Sequence, residues 1–148
     1  MSTTATPSPP PAPLIDEDSR RFWEATREGR IALCHCTGCN AWLARPLERC
    51  NVCAGPTEFS DVSGRGTVYT FVVVHRPVIA AYAHLVPYIV AIVEFDEGPR
   101  LPGIVLDAQT PDIAIGRRVQ AELMDVPGTD ERAIAYRLTD DRTVTATR

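Results

Sequence analysis

The sequence Cys34-His-Cys-Thr-Gly-Cys39, followed after ten residues by Cys50-Asn-Val-Cys53, decides how the first part of this chain folds. It contains two C-x-x-C knuckles. Each knuckle places two thiolates on one side of a tight turn, and two knuckles that face each other supply four sulfurs in a tetrahedron. This spacing predicts a structural zinc site with no open position for water or substrate, and its ligands are Cys36, Cys39, Cys50 and Cys53.

Other uses of these cysteines are less favoured. A disulfide framework needs an oxidising compartment, but the N-terminus has no apolar signal segment, and we expect a cytoplasmic chain. A redox dithiol normally uses a single C-x-x-C on a strand-to-helix turn. Replacement of one sulfur by His35 is an alternative that the regular spacing of the thiols disfavours, and Cys34 is expected to be a small buried hydrophobe.

The composition is that of an ordinary water-soluble domain. The chain has 148 residues, of which 45% are hydrophobic and 23% charged, so it forms one domain or two very small ones. No apolar run approaches the ~18 residues of a membrane span. The formal net charge is -4, and such a chain lacks the basic footprint of a general nucleic-acid binder.

The chain N-terminal to residue 63 divides into three segments. Residues 1–13 are rich in proline and predict a disordered, extended tail. Residues 14–30 predict a helix that ends at Gly29, and its aromatic residues Phe22 and Trp23 dock it on the body of the protein or on a partner. Residues 31–62 predict a ribbon of three short strands around the two knuckles.

Residues 63–140 predict a small closed β-barrel, so the fold class is mainly β. Five β-branched or alternating segments are separated by turn residues, at 67–74, 88–95, 100–106, 118–124 and 133–138. Pro102-Gly103 marks a bulge or bend in the third of them. Residues 141–148 form a C-terminal tail. The connection 76–87 is unusually apolar, which is typical of a cover over the barrel mouth, a partner contact or an acyl-chain wall.

Several ordered motifs together resemble a known family. They are FW-x-A-x-REG-R at 22–30, the four-cysteine ribbon, SGRGTVY at 63–69, VVHRP at 73–77, PY-x-VA-x-VE-x-DEG at 87–98 and IG-x-x-V at 115–119. The set is similar to the zinc-ribbon OB-fold proteins of the DUF35 group, which accompany thiolase-like enzymes in acyl-CoA metabolism. The resemblance covers about residues 20–140. It implies a rubredoxin-like zinc ribbon followed by a five-stranded OB-fold barrel.

The resemblance also implies a function without catalysis in this chain. Members of the group are non-catalytic partners of thiolases or of retro-aldolases that shorten steroid side chains, and they help hold the acyl-CoA. We therefore expect a thiolase-like enzyme subunit as partner, in a heterotetramer built on the dimer of that enzyme. We expect no association with a membrane. Candidate CoA-binding residues are Arg65, His75 and Arg76. Candidate partner-interface residues are Phe22, Trp23, Ile79, Tyr82 and Leu85.

One alternative function belongs to another class. An OB-fold that binds single-stranded nucleic acid stacks bases on exposed aromatic residues, and Tyr69, Phe71 and Tyr88 are the candidates. The net charge and the alternating burial expected of these side chains weigh against it. A stand-alone hydrolase or redox protein is disfavoured because no nucleophile is placed beside a base.

Overall fold

A computed structural model describes residues 9–43 and 45–140, and it is mainly β with one short N-terminal helix, as predicted. Residues 9–13 have no regular secondary structure, while the rest of the expected N-terminal tail and the tail 141–148 lie outside the described residues. Within the described part of the chain, no helix has the length and hydrophobicity needed to cross a bilayer. The elements are α1 Arg20–Arg27, β1 Ala32–Cys36, β2 Thr57–Asp61, β3 Arg65–Val74, β4 Tyr88–Phe95, β5 Arg100–Leu106, β6 Arg118–Asp125 and β7 Arg132–Leu138.

Helix α1 is shorter than the expected segment 14–30. The residues before it form a local turn, in which the Ser19 N–H donates to Asp16 Oδ1 at 2.8 Å, so the helix begins only at Arg20. Its last helical residue is Arg27, and the predicted stop signal Gly29 follows the C-cap residue Glu28. Gly29 has a φ of 82°, and the Arg30 N–H donates to the carbonyl of Ala25 at 2.9 Å, which is a Schellman motif that left-handed glycine favours.

The ribbon has two strands rather than the three predicted. Strands β1 and β2 are antiparallel, with Cys34 opposite Phe59. The expected third strand makes only an isolated bridge between Trp42 and His35. After the first knuckle the chain runs beside β1 for only a few residues. Pro46 has no backbone N–H and so cannot add a hydrogen bond that would continue this pairing.

The barrel is closed in the order β3-β4-β5-β7-β6, which is the arrangement of a five-stranded OB-fold. Strands β5 and β7 pair in parallel, and the other neighbours are antiparallel. The bulge lies in β3, where the register shifts between Val68 and Thr70. Strand β5 pairs with β4 without a shift through Pro102 and Gly103, so of the predicted bulge or bend, the bulge is not present in this pairing.

Gly103 instead makes room for the largest side chain of the core. A Cβ on Gly103 would lie 2.6 Å from Cε2 of Tyr136, which is completely buried. The Tyr136 hydroxyl donates to the carbonyl of Leu101 at 3.0 Å, and burial raises the pKa of this tyrosine. Its ring centroid lies 6.2 Å from that of Phe95, and the two rings fill the barrel.

The ribbon and the barrel share one hydrophobic core. Ile31 and Leu33, which lead into the first knuckle, belong to the same buried cluster as Phe95 and Tyr136. An ion pair between Arg27 and the buried Glu131 fixes helix α1 to the residues just before β7, with Arg27 Nε 3.1 Å from Glu131 Oε2. The ribbon and the barrel are therefore held together by shared packing.

We expect Gly66→Ala to destabilise the barrel. A Cβ at this position would lie 2.5 Å from the carbonyl oxygen of Glu94 and 2.6 Å from Cγ1 of Val93, so strands β3 and β4 must separate. Overpacking of this kind lowers the free energy of unfolding by roughly 1–3 kcal/mol. Urea denaturation measures it. Thr70→Ala, on the same strand opposite the exposed Ile92, is the control, and equal losses in the two variants would contradict the assignment.

Candidate functional site

Four cysteine sulfurs come together at the two knuckles. The Sγ atoms of Cys36, Cys39, Cys50 and Cys53 all lie within 4.8 Å of one another. The pair Cys36–Cys53 is separated by 3.4 Å and the pair Cys39–Cys50 by 3.7 Å. A tetrahedral zinc ion with Zn–S bonds of ~2.3 Å sets its sulfurs ~3.8 Å apart. The separations therefore fit a four-sulfur metal site, and all five cysteines, each within the described residues, are free of disulfides.

Backbone N–H groups point at these sulfurs. In the first knuckle, the N–H groups of Gly38 and Cys39 donate to Cys36 Sγ at 3.3 and 3.4 Å. In the second knuckle, the Val52 N–H donates to Cys50 Sγ at 3.3 Å, and the Gly55 N–H to Cys53 Sγ at 3.4 Å. Such hydrogen bonds stabilise the thiolate form, which is the form that binds a metal.

The pKa values of the two thiols in the first knuckle are shifted in opposite directions. The backbone N–H of Cys39 lowers the pKa of Cys36 to about 6, against burial, which raises it. At Cys39, a hydrogen bond from the backbone of Ala41 lowers the pKa, but hydrogen bonds with the neighbouring thiols and burial outweigh it and raise the pKa to about 12. Negative charge on one sulfur thus opposes charge on the others, and a bound divalent cation removes that opposition.

Cys34 and His35 stay outside the four-sulfur group. Cys34 is buried, as expected, and its Sγ lies 3.9 Å from the carbonyl of Leu47. The ring of His35 packs against Trp42 with centroids 5.0 Å apart, and its Nε2 lies 3.9 Å from Glu58.

The three candidate CoA-binding residues do not lie together. Arg65 is the first residue of β3, whereas His75 and Arg76 follow its last residue. Ten residues of strand span roughly 33 Å at ~3.3 Å per residue. Arg65 Nε lies 3.9 Å from Asp96, while Arg76 has no carboxylate partner among the described residues. His75 and Arg76 are both exposed.

The candidate partner-interface residues also separate into groups. Phe22 is half-buried, packs against the common core and meets Trp23 edge-to-face with centroids 5.1 Å apart. Ile79 and Leu85 are exposed, in and beside a 3-10 turn at Ala80–Leu85. The ring of Tyr82, within that turn, is half-buried.

The aromatic residues expected to stack bases share no surface. Tyr69 is covered by the Arg100 guanidinium, which lies 3.6 Å from the ring centroid. Phe71 packs against the barrel core. Tyr88 lies beside Tyr82, with centroids 6.3 Å apart.

The structure has two apolar surfaces of which the sequence indicated only a part, the connection 76–87 with Tyr82 and Leu85. The first, here called the exposed patch, consists of Val72 and Ile92, which are 59% and 38% exposed on the outside of β3 and β4. The run Phe71-Val-Val-Val74, which has no polar alternation, was the available signal. The second, here called the apolar groove, has a volume of about 300 Å³ between the 3-10 turn, the outside of β4 and β5 and the β6–β7 hairpin. Its lining includes Tyr82, Tyr88, Val90, Ile104, Met124 and Ile134.

Comparison with known proteins gives the family. The family model for the C-terminal OB-fold domain of ChsH2 matches residues 60–123. A DUF35 domain-containing scaffold protein of Methanocaldococcus jannaschii is 34% identical over 113 residues, which cover 73% of this chain and 78% of that protein. The chain belongs to the DUF35 family. The resemblance drawn from the sequence motifs is thereby confirmed.

Two larger relatives carry enzyme names. The 3-oxo-4,17-pregnadiene-20-carboxyl-CoA hydratase alpha subunit of Mycobacterium tuberculosis is 40% identical over 72 residues, covering 49% of this DUF35 chain and 22% of that subunit. A probable enoyl-CoA hydratase alpha subunit of Thermomonospora curvata is 29% identical over 116 residues, covering 78% of this chain and 36% of that one. The DUF35 chain thus spans only a minor part of these two hydratase subunits.

Two solved structures have the same fold. A chain of the Ltp2-ChsH2(DUF35) aldolase superposes with a TM-score of 0.77 and 26% identity, over 86% of this DUF35 chain and 98% of that chain. A DUF35 protein of unknown function from Sulfolobus solfataricus superposes with a TM-score of 0.57 and 11% identity, over 83% and 86% of the two chains, and supports the fold alone.

Proposed function

We propose that this chain is a non-catalytic accessory subunit of a thiolase-like enzyme, a thiolase or a retro-aldolase such as those of steroid side-chain degradation. The observation that carries the proposal is the match to a chain of the Ltp2-ChsH2(DUF35) aldolase over 98% of that chain's length. The described part of this chain thus matches the DUF35 chain of an aldolase complex over nearly its whole length. The subunit binds the partner and helps hold the acyl-CoA.

The side chains support a non-catalytic role. Among the described residues, no histidine is hydrogen-bonded to a serine, threonine or cysteine, as an activated nucleophile requires. Four of the five cysteines lie in the metal-site cluster. The buried carboxylate of Glu131 is paired with Arg27 and stabilises the position of α1.

The four-sulfur cluster is proposed to hold a structural zinc ion. Four thiolate ligands leave no position for water or substrate, so the ion stabilises the ribbon and takes no part in chemistry. The ribbon has only two short strands, and metal binding supplies folding free energy that so small a segment lacks.

The proposed contact with the partner enzyme is the exposed patch. Exposed Val72 and Ile92 are diagonal neighbours on the paired strands β3 and β4, since Val72 pairs with Val90 and Thr70 with Ile92. Apolar residues on a sheet suit the buried, apolar core of a protein–protein interface. Val78 and Ile79 in the loop after β3 are exposed apolar residues as well.

The proposed contact with CoA is the pair His75–Arg76. Both side chains are exposed just past the end of β3, and a guanidinium without a carboxylate partner suits a phosphate. Arg65, at the other end of the strand and 3.9 Å from Asp96, is not proposed to contact the same phosphate group.

An affinity pull-down of the tagged full-length chain from its host tests the function. Bound proteins are identified by mass spectrometry, and bound nucleic acid is measured in the same eluate. We expect a stoichiometric thiolase-like protein and no nucleic acid. Nucleic acid without such a protein would replace the proposal with the OB-fold nucleic-acid binder.

We expect Cys50→Ser to lose zinc and Cys34→Ser to retain it. Cys50 belongs to the four-sulfur group, whereas Cys34 is a buried cysteine of the same ribbon outside that group. The purified wild-type chain should contain about one zinc ion, measured by inductively coupled plasma mass spectrometry. Chelation should unfold residues 31–62. A metal-free wild-type chain with an unchanged melting curve on chelation would contradict the site.

We expect Val72→Asp to weaken binding of the captured partner by at least tenfold, which is ~1.4 kcal/mol. The change places a carboxylate in the proposed apolar contact, where burial of an unpaired charge is unfavourable. Ile115→Asp is the control, because Ile115 is 70% exposed in the loop before β6. Surface plasmon resonance compares the two variants, and equal affinities would remove the exposed patch from the interface.

We expect Arg76→Ala, but not Arg65→Ala, to weaken acyl-CoA binding by the complex. Loss of a charge-assisted hydrogen bond to a phosphate should raise the dissociation constant by roughly tenfold or more. Isothermal titration calorimetry of the reconstituted complex with acetyl-CoA measures it. Unchanged affinity in Arg76→Ala would return this side chain to the solvated surface.

A further inference from the structure

The apolar groove lies where OB-folds usually bind their ligands. It is bounded by the second and third strands of the barrel, here β4 and β5, and by the two loops that flank them, at Ala80–Leu85 and in the β6–β7 hairpin. Oligonucleotide and oligosaccharide ligands require polar or basic groups there. This groove is lined instead mainly by aliphatic and tyrosine side chains, which suit an apolar, uncharged ligand.

The only charged side chain in the lining is already paired. Asp125 Oδ1 lies 3.2 Å from Nε of Arg132 across the β6–β7 hairpin. No cationic ligand is therefore needed to balance it, and nothing in the lining attracts a phosphate.

A segment of the chain itself lies against the groove. Pro10 lines it together with Tyr82, Leu85 and Tyr88. Pro10 and Pro13 are half-buried, whereas Pro9 and the intervening residues 11 and 12 are exposed. The spacing of three residues between the half-buried positions matches the repeat of a polyproline II helix, and Pro10 is the residue of this edge that lines the groove.

The chemistry of the segment and of the groove agree. Pro10-Pro11-Ala12-Pro13 is a P-x-x-P sequence, and such segments dock on aromatic-lined grooves because their conformation is already restricted in the free state. Tyr82 and Tyr88, with ring centroids 6.3 Å apart, supply the aromatic walls. Residues 9–15 carry no charged side chain, which matches a lining whose single carboxylate is paired.

We propose that the apolar groove is a binding site for proline-rich peptide segments and that its ligand in the free subunit is the chain's own segment Pro9–Pro13. The docked segment covers apolar surface on the outside of β4 and β5 that would otherwise face water. This proposal goes beyond the accessory-subunit function and does not depend on the identity of the partner enzyme.

A tethered ligand competes strongly with a free one. Linkage through a short chain gives an effective concentration on the order of millimolar, so a weakly binding free peptide cannot displace the intact segment. Removal of the docked edge of the segment should therefore open the groove to the same peptide added in solution.

The test uses two variants of the full-length chain with identical composition. Pro10→Ser with Pro13→Ser alters the covered edge, and Pro9→Ser with Pro11→Ser alters the exposed edges. A fluorescein-labelled peptide of residues 8–15 is titrated against each chain, and binding is followed by anisotropy. We expect the first variant to bind the peptide at least tenfold more tightly than wild type or the second variant. Tyr82→Ala added to the first variant should abolish this gain.

Three outcomes would overturn the proposal. If the peptide binds all chains with equal affinity, or binds none of them measurably, the segment Pro9–Pro13 does not occupy the groove. Unchanged methyl resonances of Met124 and Ile134 between wild type and the first variant would show the same without any added peptide. A concentration-dependent dimer of the wild-type chain that Tyr82→Ala dissociates, measured by light scattering, would assign the groove to a second copy.

Discussion

Four cysteine sulfurs held within 4.8 Å of one another are the constraint on which the rest of this structure depends. Strand β1 ends at Cys36, and Ile31 and Leu33 just before it pack into the core of the barrel. Loss of order at the knuckles would therefore expose part of that core. The backbone N–H groups that point at the sulfurs and the proximity of the four thiols both suit a bound cation.

The barrel retains the OB-fold topology but has a different surface. Its usual ligand face carries an apolar groove, and the outside of β3 and β4 carries exposed valine and isoleucine. Tyr69, the most exposed of the three aromatic candidates for base stacking, has one face of its ring occupied by the Arg100 guanidinium. These features favour peptide and protein contacts over nucleic acid, and they agree with a family whose relatives include a scaffold protein and subunits of enzymes.

Local signals in the sequence were sufficient for much of the fold. The knuckle spacing, the glycine after α1 and five β-branched runs each specify structure over a few residues, and each was located correctly. The failures concern longer-range packing. The bulge lies in β3 rather than at Pro102-Gly103, and Gly103 instead accommodates Tyr136, which is thirty-three residues away in the chain. The apolar groove was invisible because the turn 80–85, two barrel strands and a distant hairpin contribute to it together.

Native mass spectrometry of the complex, purified from the host through a tag on this chain, tests the accessory-subunit function and the zinc site most directly. We expect a heterotetramer with two copies of this chain, each carrying one zinc ion, and two copies of a thiolase-like subunit. A spectrum that contains this chain only by itself, under conditions in which the thiolase-like proteins of the same lysate remain intact dimers, would contradict it.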